Sequence, residues 1–456
     1  MVYMKNKCYE MDMCNGPLVK KILVFSIPLM CSSILQLLFN AVNMIVVGQY
    51  SGKEALAAVG STTQLISLLV NVFIGLSVGA NVLTAKAYGA RNERDLDETL
   101  HTSILLSVIC GFCLSFMGIL LTKPLLTLMG TPSEILELSS LYMRIYFIGM
   151  PAMLLFNFGS SILRALGDTK RPLYFLLIAG VINALLSLLF VIYFKMGVAG
   201  VALGTIISQC ISAVLIVLCL IRVDGCCKLV LSKLHINKSV FLKIMRIGLP
   251  AGFHGAIFSI SNVLVQSSIN SFGPVCMAGN AATANLEGFV ITSMNAFHQT
   301  ALSFTGQNMG GEKYDRINPI LRTCLVSVFI VGSLICLLFY LLRYPLLGLY
   351  SDEPEVIQYG ISRMKIMFST YFLGGIMEVL VGSLRGLGYS VLPMIVSLLG
   401  ACGLRILWIF TVFRMFPTLP ILYISYPVSW AITLTAHFIC FHLLFNKPYK
   451  KSIILK

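Results

Sequence analysis

Leu163-Arg164-Ala165-Leu166-Gly167 returns 221 positions later as Leu384-Arg385-Gly386-Leu387-Gly388, and each copy follows one long apolar run and precedes another. An offset of 221 or 222 also pairs Ile27-Pro28 with Leu249-Pro250, Gly52 with Gly273, Gly89 with Gly310, Leu125-Leu126 with Leu346-Leu347, and Pro172 with Pro393. Self-similarity at one offset marks an internal repeat. The chain therefore reads as two related halves, about 1 to 222 and 240 to 450.

What kind of halves these are follows from composition. Of 456 residues, 57% are hydrophobic and only 11% are charged, and the mean hydropathy is +0.89; soluble domains carry roughly 25% charged residues. Apolar runs long enough to cross a hydrocarbon core of about 30 Å as helices occur near 22 to 47, 55 to 83, 99 to 121, 136 to 159, 172 to 194, 198 to 221, 244 to 270, 276 to 305, 319 to 342, 357 to 381, 390 to 413 and 421 to 445. The expected fold is an all-α integral membrane protein of twelve transmembrane helices in two six-helix lobes. Because six spans return the chain to its starting side, the lobes form a parallel repeat about a pseudo-two-fold axis along the membrane normal, as in rocking transporters. The expected organisation is a first lobe at 1–221, an inter-lobe linker at 222–243, a second lobe at 244–446 and a basic tail at 447–456.

The net charge of +15 belongs to topology rather than to nucleic acid, because 24 Lys and Arg residues fall in one set of alternate loops and only five in the other. By the positive-inside rule both termini lie in the cytoplasm. The stretch from Arg222 to Arg246 mixes six basic residues with Leu229, Leu231, Leu234, Ile236 and Phe241. It reads as an interfacial elbow with its basic face toward anionic lipid heads. The fourteen cysteines, Cys226-Cys227 among them, lack metal-ligand spacing and read as small hydrophobes. The N-terminal apolar run is too long for a signal peptide and reads as an uncleaved span.

Acidic groups are rare within the spans, and two stand deep: Glu287 in the eighth and Glu378 in the tenth. A carboxylate in hydrocarbon persists only if protonated, paired or holding a cation, so an ionisable residue at that depth points to function. Both are candidates for ion coupling; a structural role knitting helices together is the competing reading. His298 shares the Glu287 face three turns on, while Arg405 is a counter-ion for Glu378 or reaches the interface. His298, His254 and His437 read first as hydrogen-bonded packing residues. Arg144, Arg363 and Lys365 stand near span ends, where they can snorkel. The first half carries uncharged polar groups instead: Gln36, Asn40, Asn43, Gln64, Asn71, Asn157, Asn183 and Ser187. Together they line a polar cavity or ion site, or they serve as interhelical hydrogen bonds. The offset maps Asn157 onto Glu378, so that acid is present in one half alone. Pro28 and Pro250 stand at matching places inside spans one and seven, where each kinks a helix. No phosphate-binding G-x-x-x-x-G-K-[ST] run and no spaced metal-ligand set occurs, so neither a cofactor nor a resident metal is expected, and the chain does not read as an enzyme.

These segments resemble the multidrug and toxic compound extrusion (MATE) family. The resemblance rests on Phe39-Asn40-Ala41-Val42-Asn43-Met44-Ile45-Val46-Val47-Gly48 after Pro28, on Gly60-Ser61-Thr62 and Gly89-Ala90, and on Leu163 through Pro172. Ile247-Gly248-Leu249-Pro250 and Gly382 through Gly388 add to it in the second half. It implies export of small organic, often cationic or amphipathic compounds by alternating access, coupled to Na⁺ or H⁺ as the transported cofactor. The partners it implies are small-molecule substrates and membrane lipid, with the protein a monomer. Many members carry an acid where this chain has Asn43 and another where it has Ser187. A helix-seven Glu of some members is replaced here by an apolar residue near Phe258, and their tenth-helix acid falls about one turn from Glu378. Coupling is therefore expected at Glu378 and Glu287. A lipid-linked precursor flippase of the same superfamily is the alternative; a non-transporting receptor is a third reading.

Overall fold

The computed structural model describes residues 11–223 and 227–454, apart from the side chains of Gln64, Ile260 and residues 446–454. Lys5, Lys7, Cys226 and Lys456, and the side chains of Gln64 and of the basic tail, lie outside the described residues.

Twelve helical spans follow one another: α1 (Leu18–Tyr50), α2 (Lys53–Gly89), α3 (Glu93–Leu128), α4 (Ser133–Ile148 and Met150–Ala165), α5 (Lys170–Leu188) and α6 (Gly197–Arg222) in the first half. The second half holds α7 (Lys238–Asn270), α8 (Pro274–Gly310), α9 (Tyr314–Leu341), α10 (Pro354–Leu387), α11 (Val391–Phe413) and α12 (Leu419–Ile454). A short helix, Arg343–Gly348, precedes α10, and a π turn, Leu189–Tyr193, prolongs α5. Counting the two pieces of α4 as one span, eleven of these are long and apolar enough to cross a membrane. The exception is α8, whose Asn280, Asn285, Glu287, Asn295, His298 and Gln307 lower its hydropathy. Besides α5, two further spans depart from regular α-helix. The two pieces of α4 meet at 49°, where Pro151 lacks the N–H that would continue the hydrogen-bond ladder. The α11 span changes to π geometry twice, at Leu398–Gly403 and Ile409–Phe413.

The repeated motif ends each helix in the same way. Gly167 and Gly388 take φ of 94° and 103°, the left-handed conformation that closes a helix and that a Cβ would disfavour. Gly52 and Gly273, matched by the same offset, share φ of 89° and 91°. After Gly167, Asp168 Oδ1 accepts from the backbone N–H of Lys170 and Arg171, both at 3.1 Å, and so opens α5.

The chain divides into two compact units that do not coincide with its halves. The first holds the described residues up to Asp12 together with Cys31–Ala256; the second holds Met13–Met30 and Ile257 onward. Both α1 and α7 run unbroken through Pro28 and Pro250, and the change of unit falls just beyond each proline.

In the first unit, α2 and α7 meet through small residues. Gly75 and Gly79 face Gly248 and Gly252, so closely that a Cβ on Gly248 would stand 2.6 Å from Leu76 Cα. This is the small-x-x-x-small contact by which membrane helices gain packing that lipid cannot offer. Gly248→Ala is expected to cost about 1–3 kcal/mol, the range for overpacking, whereas Gly288→Ala, with no atom within 4 Å of its Cβ, is expected to leave thermal denaturation unchanged. Equal melting temperatures for the two variants would contradict this packing. The inter-lobe connection is also pinned rather than loose. His101 Nε2 accepts from the Val230 N–H at 3.1 Å, Thr102 Oγ1 accepts from the Asn237 N–H at 3.1 Å, and Asn237 Nδ2 donates to Glu98 at 2.8 Å. The described part of this connection is thus a strap along the start of α3, with Leu229 buried.

In the second unit, α8 lies against α10 along a seam of glycines. A Cβ on Gly386 would meet Thr305 Cβ at 2.7 Å, and one on Gly375 would meet Met294 Sδ at 2.7 Å. The start of the chain is tied to the far end of α8: the Met13 N–H donates to Gln307 Oε1 at 3.2 Å, and Asn308 Nδ2 donates to the Met13 carbonyl at 3.1 Å.

Candidate functional site

Each unit has its own polar centre, and the two differ in charge. In the first, α1, α5 and α6 bring together Asn43, Asn183, Ser187 and Thr205. Ser187 Oγ donates to Asn43 Oδ1 at 3.0 Å, while Asn43 Nδ2 and Asn183 Nδ2 both donate to Thr205 Oγ1, at 3.5 and 3.2 Å. The cluster is neutral and internally satisfied. Three of its members were sequence candidates; Thr205 was not, although its spacing to Ser208 and Ser212 on α6 is a polar stripe in an apolar run. Asn157 does not join them, because its Nδ2 donates within α4 to the Met153 carbonyl at 2.9 Å. Gln36 and Asn40 on α1 are exposed.

The second unit holds the charges. Glu287 on α8 meets Arg363 on α10 in a bidentate pair, Nε to Oε1 and Nη2 to Oε2, both 2.7 Å. The side chains are only 7% and 6% exposed. The remaining arm of Arg363 reaches Asn280, one turn-pair back on α8, and the guanidinium lies 5.6 Å from the Tyr423 ring centroid. Arg363, expected near the interface with its charge snorkelling, is instead fixed in the interior, because Glu287 and Asn280 together satisfy its planar fork.

Glu378 is placed otherwise. Its side chain is 29% exposed, and one carboxylate oxygen lies 3.3 Å from His298 Nδ1. That ring nitrogen is also 2.7 Å from the Glu378 carbonyl oxygen, and Arg385 Nη1 stands 3.4 Å from Nε2. The geometry suits a proton on Nδ1, with Arg385 donating to Nε2. His298, first read as a packing residue, therefore joins Glu378 to the arginine of the repeated Leu-Arg-Gly motif.

Arg405 does not pair with Glu378. Its Nε donates to Ser429 Oγ at 3.0 Å, and its guanidinium carbon lies 4.2 Å from the Tyr426 ring centroid. At 2% exposure it does not reach an interface either. His437 Nε2 is 3.0 Å from Ser397 Oγ.

One face of α8 turns away from all of this. Ala281, Asn285, Ile291 and Asn295 are exposed, with Gly288 and Thr292 half-buried between them. The offset relates this face to Gln64, Ser67 and Asn71 of α2, where Thr63 and Ser67 are exposed and Asn71 is half-buried. Each unit thus presents a helix face bearing amides and hydroxyls.

The sequence model of the MatE family matches residues 28–189 and 250–411, once in each half. The chain belongs to this family. Members of the MATE family are membrane transporters, not enzymes, and the twelve-helix, two-lobe arrangement is theirs. The chain is 29% identical over 423 residues to a probable multidrug resistance protein, YoeA, of Bacillus subtilis, covering 90% of each chain. It is 24% identical over 349 residues to an FAD transporter of Shewanella oneidensis, covering 76% of this chain and 77% of that one. Its fold superposes with a TM-score of 0.90 on a crystal structure of MATE in complex with MaL6, at 21% identity and covering 96% and 98% of the two chains.

Proposed function

We propose that this MATE-family transporter exports small organic, amphipathic or cationic compounds from the bacterial cytoplasm in exchange for H⁺ or Na⁺, by alternating access, with Glu378 as the exchanging acid. The observation that carries the assignment is the contrast between the two buried-region carboxylates. Glu287 is held by two hydrogen bonds from one guanidinium and nearly sealed, whereas Glu378 is partly open and lies against a histidine. An acid committed to a rigid, nearly sealed pair does not change partners during a cycle; a partly solvent-exposed acid can take a cation from water and release it. An exposed polar face on α2 in one unit and on α8 in the other supports water access to each unit by itself, since unsatisfied amides facing lipid would be costly. A probable multidrug resistance protein among the relatives supports export, and an FAD transporter among them supports a substrate range that extends beyond drugs.

The test is efflux of ethidium or norfloxacin from proteoliposomes of purified protein, with a Na⁺ gradient and a pH gradient imposed separately. Flux that follows one gradient identifies the coupling ion. Flux independent of both overturns the antiport reading.

A further inference from the structure

Pro172 and Pro393 match at an offset of 221. The π segment Leu398–Gly403 follows Pro393, and its counterpart in the first lobe is regular α-helix; π turns inside helices concentrate at functional sites. Beyond it, Arg405 stands 222 positions after Asn183, and the two occupy comparable contacts. Asn183 bonds Thr205, and Arg405 covers the ring of Tyr426, which the offset of 221 matches to Thr205. A neutral amide centre in one lobe is thus a guanidinium set among aromatic rings in the other.

We propose that Arg405 and the aromatic wall of Tyr426 and Trp430 form a subsite for an anionic group, a carboxylate or phosphate, on a planar aromatic substrate. This rests on the export reading given above and goes beyond it, adding aromatic compounds with an anionic group to the substrates.

Three observations carry it. Arg405 is 2% exposed and, among the described residues, makes no salt bridge; its one hydrogen bond to protein is from Nε to Ser429. Nη1 and Nη2 therefore keep a free fork of the shape that binds carboxylate or phosphate in two-point fashion. Charge balance points the same way. Arg363, Arg385 and Arg405 are buried in this unit, whereas its acids that are not exposed, among the described residues, are Glu287, taken by Arg363, and Glu378, beside His298. An uncompensated guanidinium within a membrane-spanning helix is costly, and an arriving anion removes that cost. Finally, the guanidinium is walled by aromatic rings. The guanidinium carbon lies 4.2 Å from the Tyr426 centroid and 5.7 Å from that of Trp430, and Tyr371 packs against Trp430 at 5.1 Å.

The experiment compares two xanthene dyes of like ring and opposite charge, carboxyfluorescein and rhodamine 6G, binding to purified protein in nanodiscs by fluorescence polarisation. Arg405→Met is expected to weaken carboxyfluorescein at least about tenfold while leaving rhodamine 6G unchanged or tighter; Arg405→Lys, keeping the charge but not the fork, falls between. Unchanged carboxyfluorescein binding, or equal loss of both dyes, overturns the assignment. Should Arg405→Met not fold, competition on the unmodified protein decides: benzoate displaces carboxyfluorescein and benzylamine does not, and the reverse order refutes the subsite. Phenyl phosphate against benzoate distinguishes phosphate from carboxylate. Equilibrium binding needs no gradient, so an absence of flux under either gradient would refute the coupling reading and leave this one standing.

Discussion

Arg363→Met is expected to destabilise the protein by about 3–5 kcal/mol, the cost of leaving a buried charge without its partner. The substitution keeps most of the side-chain volume and removes the fork that satisfies both oxygens of Glu287 and the side chain of Asn280. With 6–7% exposure on either side, water cannot take over those bonds. The loss should appear as a large fall in melting temperature and in folded yield. Glu287→Gln, which retains an acceptor for Arg363, should cost less, and Arg363→Met combined with Glu287→Leu should recover most of the loss, since replacing both members of a buried pair by apolar groups is often neutral. A fall below about 1 kcal/mol in the single variant, the range of exposed pairs, would show that the pair is hydrated.

Glu378→Gln is expected to have the opposite profile: an unaltered melting temperature and a gradient-driven flux reduced by roughly 5–150-fold, the span of typical coupling free energies. The amide keeps the shape and a hydrogen-bond acceptor for His298 but cannot exchange a cation. A ligand moves a conformational equilibrium only through unequal affinity for its two states, and the neutral side chain removes that inequality for the ion. The decisive comparison is flux with and without the imposed gradient, normalised to inserted protein. Flux in Glu378→Gln that still follows the gradient would sink the assignment, and loss of flux in Glu287→Gln at normal stability would move it to the other acid.

The two expectations differ although both residues were singled out by one criterion, a carboxylate within an apolar span. Sequence position could place Glu287 and Glu378 at depth but could not say which faces a guanidinium. Arg363 stands 76 residues from Glu287, and only the packing of α8 on α10 brings them together. The arginine of the repeated Leu-Arg-Gly motif was legible as a landmark, while its approach to His298 was not. Asn157 was grouped with Asn43 and Asn183 because all are amides in spans; the structure separates it, since the side chain is satisfied one turn back on its own helix.

What the sequence determined by itself is the periodic part of the protein: twelve spans, two homologous halves, the basic asymmetry of alternate loops and the family. These depend on composition over some twenty residues at a time, and hydrocarbon leaves a helix little alternative to satisfying its own backbone. The tertiary structure decided everything that depends on which faces meet. It drew the unit boundaries inside α1 and α7, bent α4 at Gly149, strapped the connection between the halves to α3, locked one acid and left the other open. It also placed Arg405 among aromatic rings. Such outcomes depend on side-chain contacts between residues far apart in the chain, formed only once glycines such as Gly75, Gly248 and Gly386 have let helix backbones approach.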